Sequence, residues 1–247
     1  MLNLSRRELL LSSGALLLPP SDDPPTLWLI GDSTVKNNTK GQQGWGTALP
    51  ALFDATKLKV SNKALGGRSS RTFLTEGLWD AMAKELKKGD IVAMQFGHND
   101  GGDTFKGTRP RASIKGNGEE TATGVVEATG KEETVHSYGW YLRKYITEAK
   151  AKGTVVVVCS PIPRNIWKDG KVGRASGDYG KWAKEAAQQE KVHFLDINTL
   201  IADRYEQLGE EKVVPLFFGD HTHTSPEGAA LNAQIVAEGL KKLKLLP

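Results

Sequence analysis

The stretch Thr26-Leu27-Trp28-Leu29-Ile30-Gly31-Asp32-Ser33-Thr34 decides how this chain is read. Leu27–Ile30 is a short, wholly apolar run, as expected of a strand covered on both faces in a parallel sheet. It stops at a glycine and then presents an acid and two hydroxyls. In an open parallel α/β sheet, ligands collect at the carboxyl ends of the strands. Chemistry is therefore expected at Asp32-Ser33-Thr34.

Further runs of the same kind follow at Lys57–Asn62, Ile91–Phe96, Val155–Cys159 and His193–Leu195. Amphipathic stretches alternate with them and predict helices over Leu78–Lys87, Ser137–Ala151, Asp178–Glu190, Asn198–Leu208 and Pro226–Leu243. Strands alternating with helices predict a three-layer α/β/α sandwich around a five-stranded parallel sheet. The last helix opens with Ser225 as N-cap, Pro226 in the first helical position and Glu227 in the first turn. Gly101–Thr134 shows neither period and reads as a long functional loop.

A length of 247 residues suits one domain able to bury roughly 70–75% of its unfolded surface. A single cysteine, Cys159, excludes an intramolecular disulfide and a thiolate zinc site, and reads as a buried apolar residue. The hydrophobic and charged fractions, 38% and 25%, fit a soluble globular protein. The net charge of +4 is dispersed, without the basic clustering of a nucleic-acid site.

Residues 1–25 read as an address. Arg6-Arg7 followed by an apolar run from Leu9 to Leu18, too short to span a bilayer, has the layout of a twin-arginine export signal. Pro19, Pro20, Pro24 and Pro25 separate it from residues 26–247, the single domain. Removal of residues 1–23 takes away two positive and three negative charges, so +4 becomes +5. The expectation is an exported, periplasmic or extracellular monomer with no membrane segment in its mature form.

The other strand ends deliver Gly66-Gly67-Arg68-Ser69-Ser70-Arg71 and Gly97-His98-Asn99-Asp100. Gly219-Asp220-His221-Thr222-His223-Thr224-Ser225 precedes the last helix. With Gly31-Asp32-Ser33-Thr34 and Gly44-Trp45-Gly46, these blocks stand in one order along the chain. Together they resemble the SGNH (GDSL-like) hydrolases, and more narrowly their rhamnogalacturonan acetylesterase branch.

The resemblance implies a flavodoxin-like hydrolase fold and a set of roles. Ser33 is the implied nucleophile; the bland reading of this serine is a helix cap. His223 is the implied base, and Asp220 orients it as third member of a Ser-His-Asp triad. The backbone N–H groups of Ser33 and Gly67 and the Asn99 amide form the implied oxyanion hole. His221 has no implied catalytic role. Asp32, His98 and Asp100 are expected to brace the loops.

Arg68 and Arg71 are left between structural ion pairs and a substrate carboxylate. Arg109, Arg111, Lys115, His136 and the stretch Pro161–Trp167 are expected as cleft walls, with Trp167 either stacking on a sugar or anchoring a loop. The implied activity is removal of O-acetyl groups from an acetylated polysaccharide of pectic, rhamnogalacturonan-like type, with no metal and no other cofactor. Acetylxylan or small acetyl sugars are alternative substrates. Two rivals remain: a metal hydrolase built on Asp220, His221 and His223, and a catalytically silent carbohydrate-binding protein.

Overall fold

The computed structural model describes residues 23–174 and 177–245. The expected export segment lies outside the described residues apart from Asp23, Pro24 and Pro25. Strands β1 (Thr26–Gly31), β2 (Lys59–Asn62) and β3 (Ile91–Gln95) are followed by a hairpin of β4 (Thr121–Val126) and β5 (Lys131–His136). Then come β6 (Val155–Cys159), a short hairpin of β7 (Trp167–Lys168) and β8 (Lys171–Val172), and β9 (His193–Leu195).

The helices are α1 (Trp45–Ala48), α2 (Ser70–Thr75), α3 (Leu78–Ala83), α4 (Tyr138–Ala151), α5 (Tyr179–Gln189), α6 (Ile197–Leu208), α7 (Glu210–Val213) and α8 (Pro226–Lys242). Among the described residues, no helix is long and apolar enough to cross a membrane.

One five-stranded sheet runs β2-β1-β3-β6-β9, and every neighbouring pair is parallel. Its members are the five runs expected from sequence. The period of two sorts their side chains into two cores. Leu27, Leu29, Ile91, Ala93, Val157 and Cys159 face one layer, where Trp45 of α1, Ile201 of α6 and Val236 of α8 pack. Trp28, Ile30, Val92, Met94, Val156 and Val158 face the other, against Phe73 of α2, Trp79 of α3, Tyr145 of α4 and Ala183 of α5. Burial raises the Cys159 thiol to about 12, so it stays protonated and packs as an apolar group.

The strand order reverses direction between β1 and β3. The chain passes from β1 outward to β2 and then back across to β3. Right-handed crossovers made in opposite directions place their helices on opposite faces. The loops leaving β1 and β3 therefore part, and a crevice opens between their carboxyl ends.

Two expectations change. The α3 helix ends at Ala83, short of Lys87, because the Asp90 carboxylate takes the Lys87 N–H (2.9 Å) together with Trp28 Nε1–H (2.9 Å) and turns the chain into β3. Gly101–Thr134 is not all loop, since β4 and β5 pair antiparallel within and beside it. The hairpin projects from the domain and of its side chains buries fully only Val126 and Val135, so little apolar period is written into it.

Candidate active site

The turn after β1 is tied down from below. Val35 N–H and Lys36 N–H both donate to Asp32 O at 3.1 Å. A Cβ on Gly31 would run into the Gln95 carbonyl and the Val35 side chain, so the turn can be this tight only at glycine. Asp32 Oδ1 accepts from Thr34 N (2.8 Å) and Thr34 Oγ1 (2.7 Å). Thr34 Oγ1 accepts from Gln95 Nε2 (2.5 Å), and Gln95 Oε1 accepts from Trp45 Nε1 (2.9 Å). This buried chain links β1, β3 and α1 beneath Ser33.

Burial alone would raise the Asp32 carboxyl. The His98 ring beside it and the Thr34 hydroxyl and amide outweigh that and hold it below the usual carboxylate range. His98 Nδ1 lies 3.3 Å from Asp32 Oδ2, at ion-pair distance but out of hydrogen-bond alignment, and its Nε2 faces Ile162 O at 3.1 Å. Asp32 and His98 thus brace the Ser33 turn, and neither lines the cleft.

Ser33 does not cap a helix, as the next one begins at Trp45. Its Oγ lies 2.8 Å from His223 Nε2, and His223 Nδ1 lies 2.7 Å from Asp220 Oδ2. Asp220 and His223 share one short turn, in which Asp220 Oδ1 also accepts from Thr222 N (2.6 Å) and His223 N (2.8 Å). Burial works against ionisation of Asp220, but these hydrogen bonds, the His223 ring foremost, keep its carboxyl below the usual range.

The turn is carried to Ser33 by three anchors. A bridge pairs Phe217 with Thr224, Thr224 exchanges hydrogen bonds with Gln43 (2.8 and 2.7 Å), and Ser225 caps α8 through Gly228 N (3.2 Å). His221 is exposed and meets the rest of the chain through its carbonyl, which accepts from Asn165 N at 2.8 Å.

Three hydrogen-bond donors gather beside Ser33. Among the described residues no protein acceptor takes the N–H of Ser33 or of Gly67. Asn99 Nδ2 spends one N–H on Arg68 O (2.9 Å) and keeps the other. Ser33, Gly67, Asn99 and His223 line one cleft of about 580 Å³. Gly67 has φ +78, a left-handed conformation that costs other residues about 1–2 kcal/mol. A larger hollow of about 690 Å³ lies at the opposite, amino-terminal ends of β1, β2 and β3, around Asp23, Lys59 and Asp90, far from these groups.

The two arginines of the second block turn inward to structure. Arg68 pairs with Glu76 (2.8 Å) and donates to Gly66 O (3.0 Å), and it does not line the cleft. Arg71 is almost fully buried, pairs with Glu133 of β5 (2.7 Å) and donates to Thr104 O and Ala112 O, so it staples the hairpin to α2. Trp167 packs against the core, donates to Asn165 Oδ1 (2.7 Å) and is also outside the cleft lining. His136 stacks on Trp140 with centroids 3.7 Å apart. Neither it nor Lys115 reaches the cleft, whereas Arg109 and Arg111 do.

Gln95 and Ser113 were not legible as site residues, and the bracing roles of Thr34 and Ser70 were not either, because each acts through a partner distant in sequence. Asp100 accepts from Ser70 N (3.0 Å), Ser70 Oγ (2.5 Å) and Ser113 Oγ (3.0 Å), locking α2 and the 101–113 segment onto the end of β3. Burial raises its carboxyl to about 6, with the serine hydrogen bonds opposing and the neighbouring Asp32 adding to the shift.

A carboxyl raised above its unfolded value stabilises the fold fully below pH about 4 and loses that contribution as pH rises through about 6. Between pH 4 and 7, the wild-type unfolding free energy should therefore fall relative to Asp100→Asn by on the order of 2 kcal/mol. A difference that stays flat over that range in denaturant titrations would show that Asp100 ionises normally in the fold.

Among the described residues, no three His, Cys, Asp or Glu side chains are arranged to hold a metal ion. Residues 29–231 match the GDSL-like lipase/acylhydrolase family. A rhamnogalacturonan acetylesterase of Emericella nidulans is 35% identical over 208 residues, covering 84% of this chain and 81% of that protein. A probable rhamnogalacturonan acetylesterase of Bacillus subtilis, YesY, is 31% identical over 226 residues, covering 89% and 94%.

The crystal structure of protein YxiM from Bacillus subtilis superposes with a TM-score of 0.71 at 26% identity, over 90% of this chain and 57% of that longer one. The fold is also that of the acetylxylan esterase Axe2 from Geobacillus stearothermophilus, at TM-score 0.57 and 16% identity over 90% and 95% of the two chains. A reversed strand order that opens a crevice over Ser33, a family match over residues 29–231 and two relatives above 30% identity lead to one assignment: the chain belongs to the GDSL-like lipase/acylhydrolase family of serine hydrolases.

Proposed function

We propose that the protein is an esterase that removes O-acetyl groups from a pectic, rhamnogalacturonan-type polysaccharide through an acyl-Ser33 intermediate. The observation that carries this reading is the continuous chain Ser33–His223–Asp220 set beside three unspent donors. The polysaccharide is the one named for the two relatives above 30% identity.

The geometry supports the following sequence. His223 Nε2 takes the Ser33 proton as Oγ bonds to the acetyl carbon. The negative oxygen that results meets the N–H groups of Ser33 and Gly67 and the free Asn99 N–H. Collapse expels the sugar oxygen, which receives the proton from His223 Nε2. Water then attacks the acetyl-serine with His223 again as base, releasing acetate and restoring the Ser33 hydroxyl. Asp220 holds the ring so that Nδ1 carries hydrogen and Nε2 faces Ser33. A protein that only binds sugar needs none of this alignment.

Acetate release from acetylated rhamnogalacturonan fragments, acetylated xylan fragments and a simple acetyl ester tests the reading. The pectic fragments are expected to give the highest kcat/KM; a higher value on xylan would move the assignment to an acetylxylan esterase. Asn99→Ala removes one oxyanion donor and is expected to lower kcat by about 10²–10³-fold with little change in KM. A KM effect alone would place Asn99 in ground-state binding.

A further inference from the structure

Arg109 and Arg111 meet at the rim of the cleft on a shared acceptor. Arg109 Nη2 and Arg111 Nη1 donate to the same acceptor, Gly67 O, at 3.2 and 3.1 Å. Two cations thus converge on one carbonyl, held one residue apart by Pro110. Arg68, Arg71, Arg143 and Arg174 each have a carboxylate partner. Among the described residues neither Arg109 nor Arg111 has one within 4.0 Å. Burial, and then the Arg109 charge, push the Arg111 guanidinium below its usual range, against the pull of the more distant Asp32 and Asp100 carboxylates.

Among the described residues, no acid lines the cleft that holds Ser33 and His223, and Asp220 stands behind the His223 ring. Besides the two arginines, its polar lining is neutral amides and hydroxyls such as Asn37, Asn38, Thr39 and Gln42. On the far side of the arginines a second cleft of about 570 Å³ runs toward α2 and the β4–β5 hairpin, and Gly67, Arg109 and Arg111 line both. The pair therefore sits on the ridge that a polymer would cross after passing the nucleophile. Each guanidinium has five N–H donors and spends one on Gly67, so donors remain for a planar anion.

We propose that Arg109 and Arg111 form a carboxylate subsite that grips a uronate unit of the sugar chain beside the acetyl ester presented to Ser33. This rests on the pectic reading above and names what selects it. A neutral xylan chain has no carboxylate to meet the unspent guanidinium donors, whereas a uronate chain gains that contact, which favours the uronate chain. Because the two guanidiniums also hold the Gly67 carbonyl, the anion would engage the loop that supplies an oxyanion donor.

The test compares acetylated rhamnogalacturonan oligosaccharides with free uronate carboxylates against the same oligosaccharides with those carboxylates methyl-esterified, reading acetate release. In the wild type, methyl esterification is expected to lower kcat/KM roughly 10–100-fold, mainly through KM, as befits loss of charge-assisted hydrogen bonds. In Arg109→Gln/Arg111→Gln the methylation penalty should shrink to about 2-fold or less. Arg109→Lys/Arg111→Lys should restore part of it, since the charge returns without the bidentate fork.

A wild type that cleaves both oligosaccharides equally well overturns the subsite while leaving the pectic reading intact, and this arm needs no variant to fold. An undiminished penalty in the double glutamine variant likewise overturns it. Acetate released from xylan but from neither pectic oligosaccharide overturns the pectic reading and the subsite together.

Discussion

Ser33→Ala is expected to lower kcat for acetyl-ester hydrolysis by on the order of 10⁴–10⁶-fold. The substitution deletes one oxygen whose side-chain partner among the described residues is His223 Nε2 at 2.8 Å. The hydrogen bonds that shape the turn run through Asp32, Thr34 and Gln95 and are untouched. Thermal stability should therefore stay close to that of the wild type while turnover collapses. What remains would be the contribution of the donors and of binding, acting on a water in place of the serine. Pre-steady-state kinetics check the route: a burst of alcohol release in the wild type should vanish in the variant. A loss below about 100-fold, or a burst that persists, would mean that Ser33 is not the acyl carrier.

Asp220→Asn is expected to cost up to about 10⁴-fold in kcat. Asp220 Oδ1 holds the turn by accepting from two backbone amides, and an asparagine oxygen can keep both. Only the atom facing His223 Nδ1 changes, from an acceptor to an N–H donor. The imidazole then places its hydrogen on Nε2, pointing at Ser33 Oγ, and can no longer take the serine proton. The Asp220 side chain is 39% exposed, so water can occupy part of its place and the loss in Asp220→Ala should be smaller than in Asp220→Asn. That order separates control of the tautomer from simple removal of charge. Equal losses in the two variants, measured as kcat at neutral pH, would assign Asp220 an electrostatic role alone.

Much of the scaffold was written locally. Each central strand is an unbroken apolar run because both of its faces are covered, and such runs survive without knowledge of the partners. The Ser225-Pro226 start of α8 was likewise legible, since capping depends on residues three apart. The β4–β5 hairpin was not, because it buries too little apolar surface to leave a period. For Arg68 the sequence left an ion pair and a substrate contact open. Glu76, eight residues on and one helix away, takes its charge.

The sequence alone therefore held the chemical inventory: a serine after the first strand, a glycine and an asparagine after the next two, and an Asp-His pair before the last helix. It also held the alternation that makes an α/β sandwich, for both are properties of residue type and short spacing. Distances between these pieces belong to the fold. The reversal of strand order between β1 and β3 opens the crevice, and the docking of Thr224 on Gln43 brings His223 to a serine 190 residues away. Whether an arginine is spent or free depends on which carboxylate the packed chain leaves within reach, and Coulomb interactions act through space rather than along the backbone. That is why Arg68 and Arg71 became structural, while Arg109 and Arg111, on a stretch without any readable period, line the cleft with no carboxylate among the described residues within 4.0 Å.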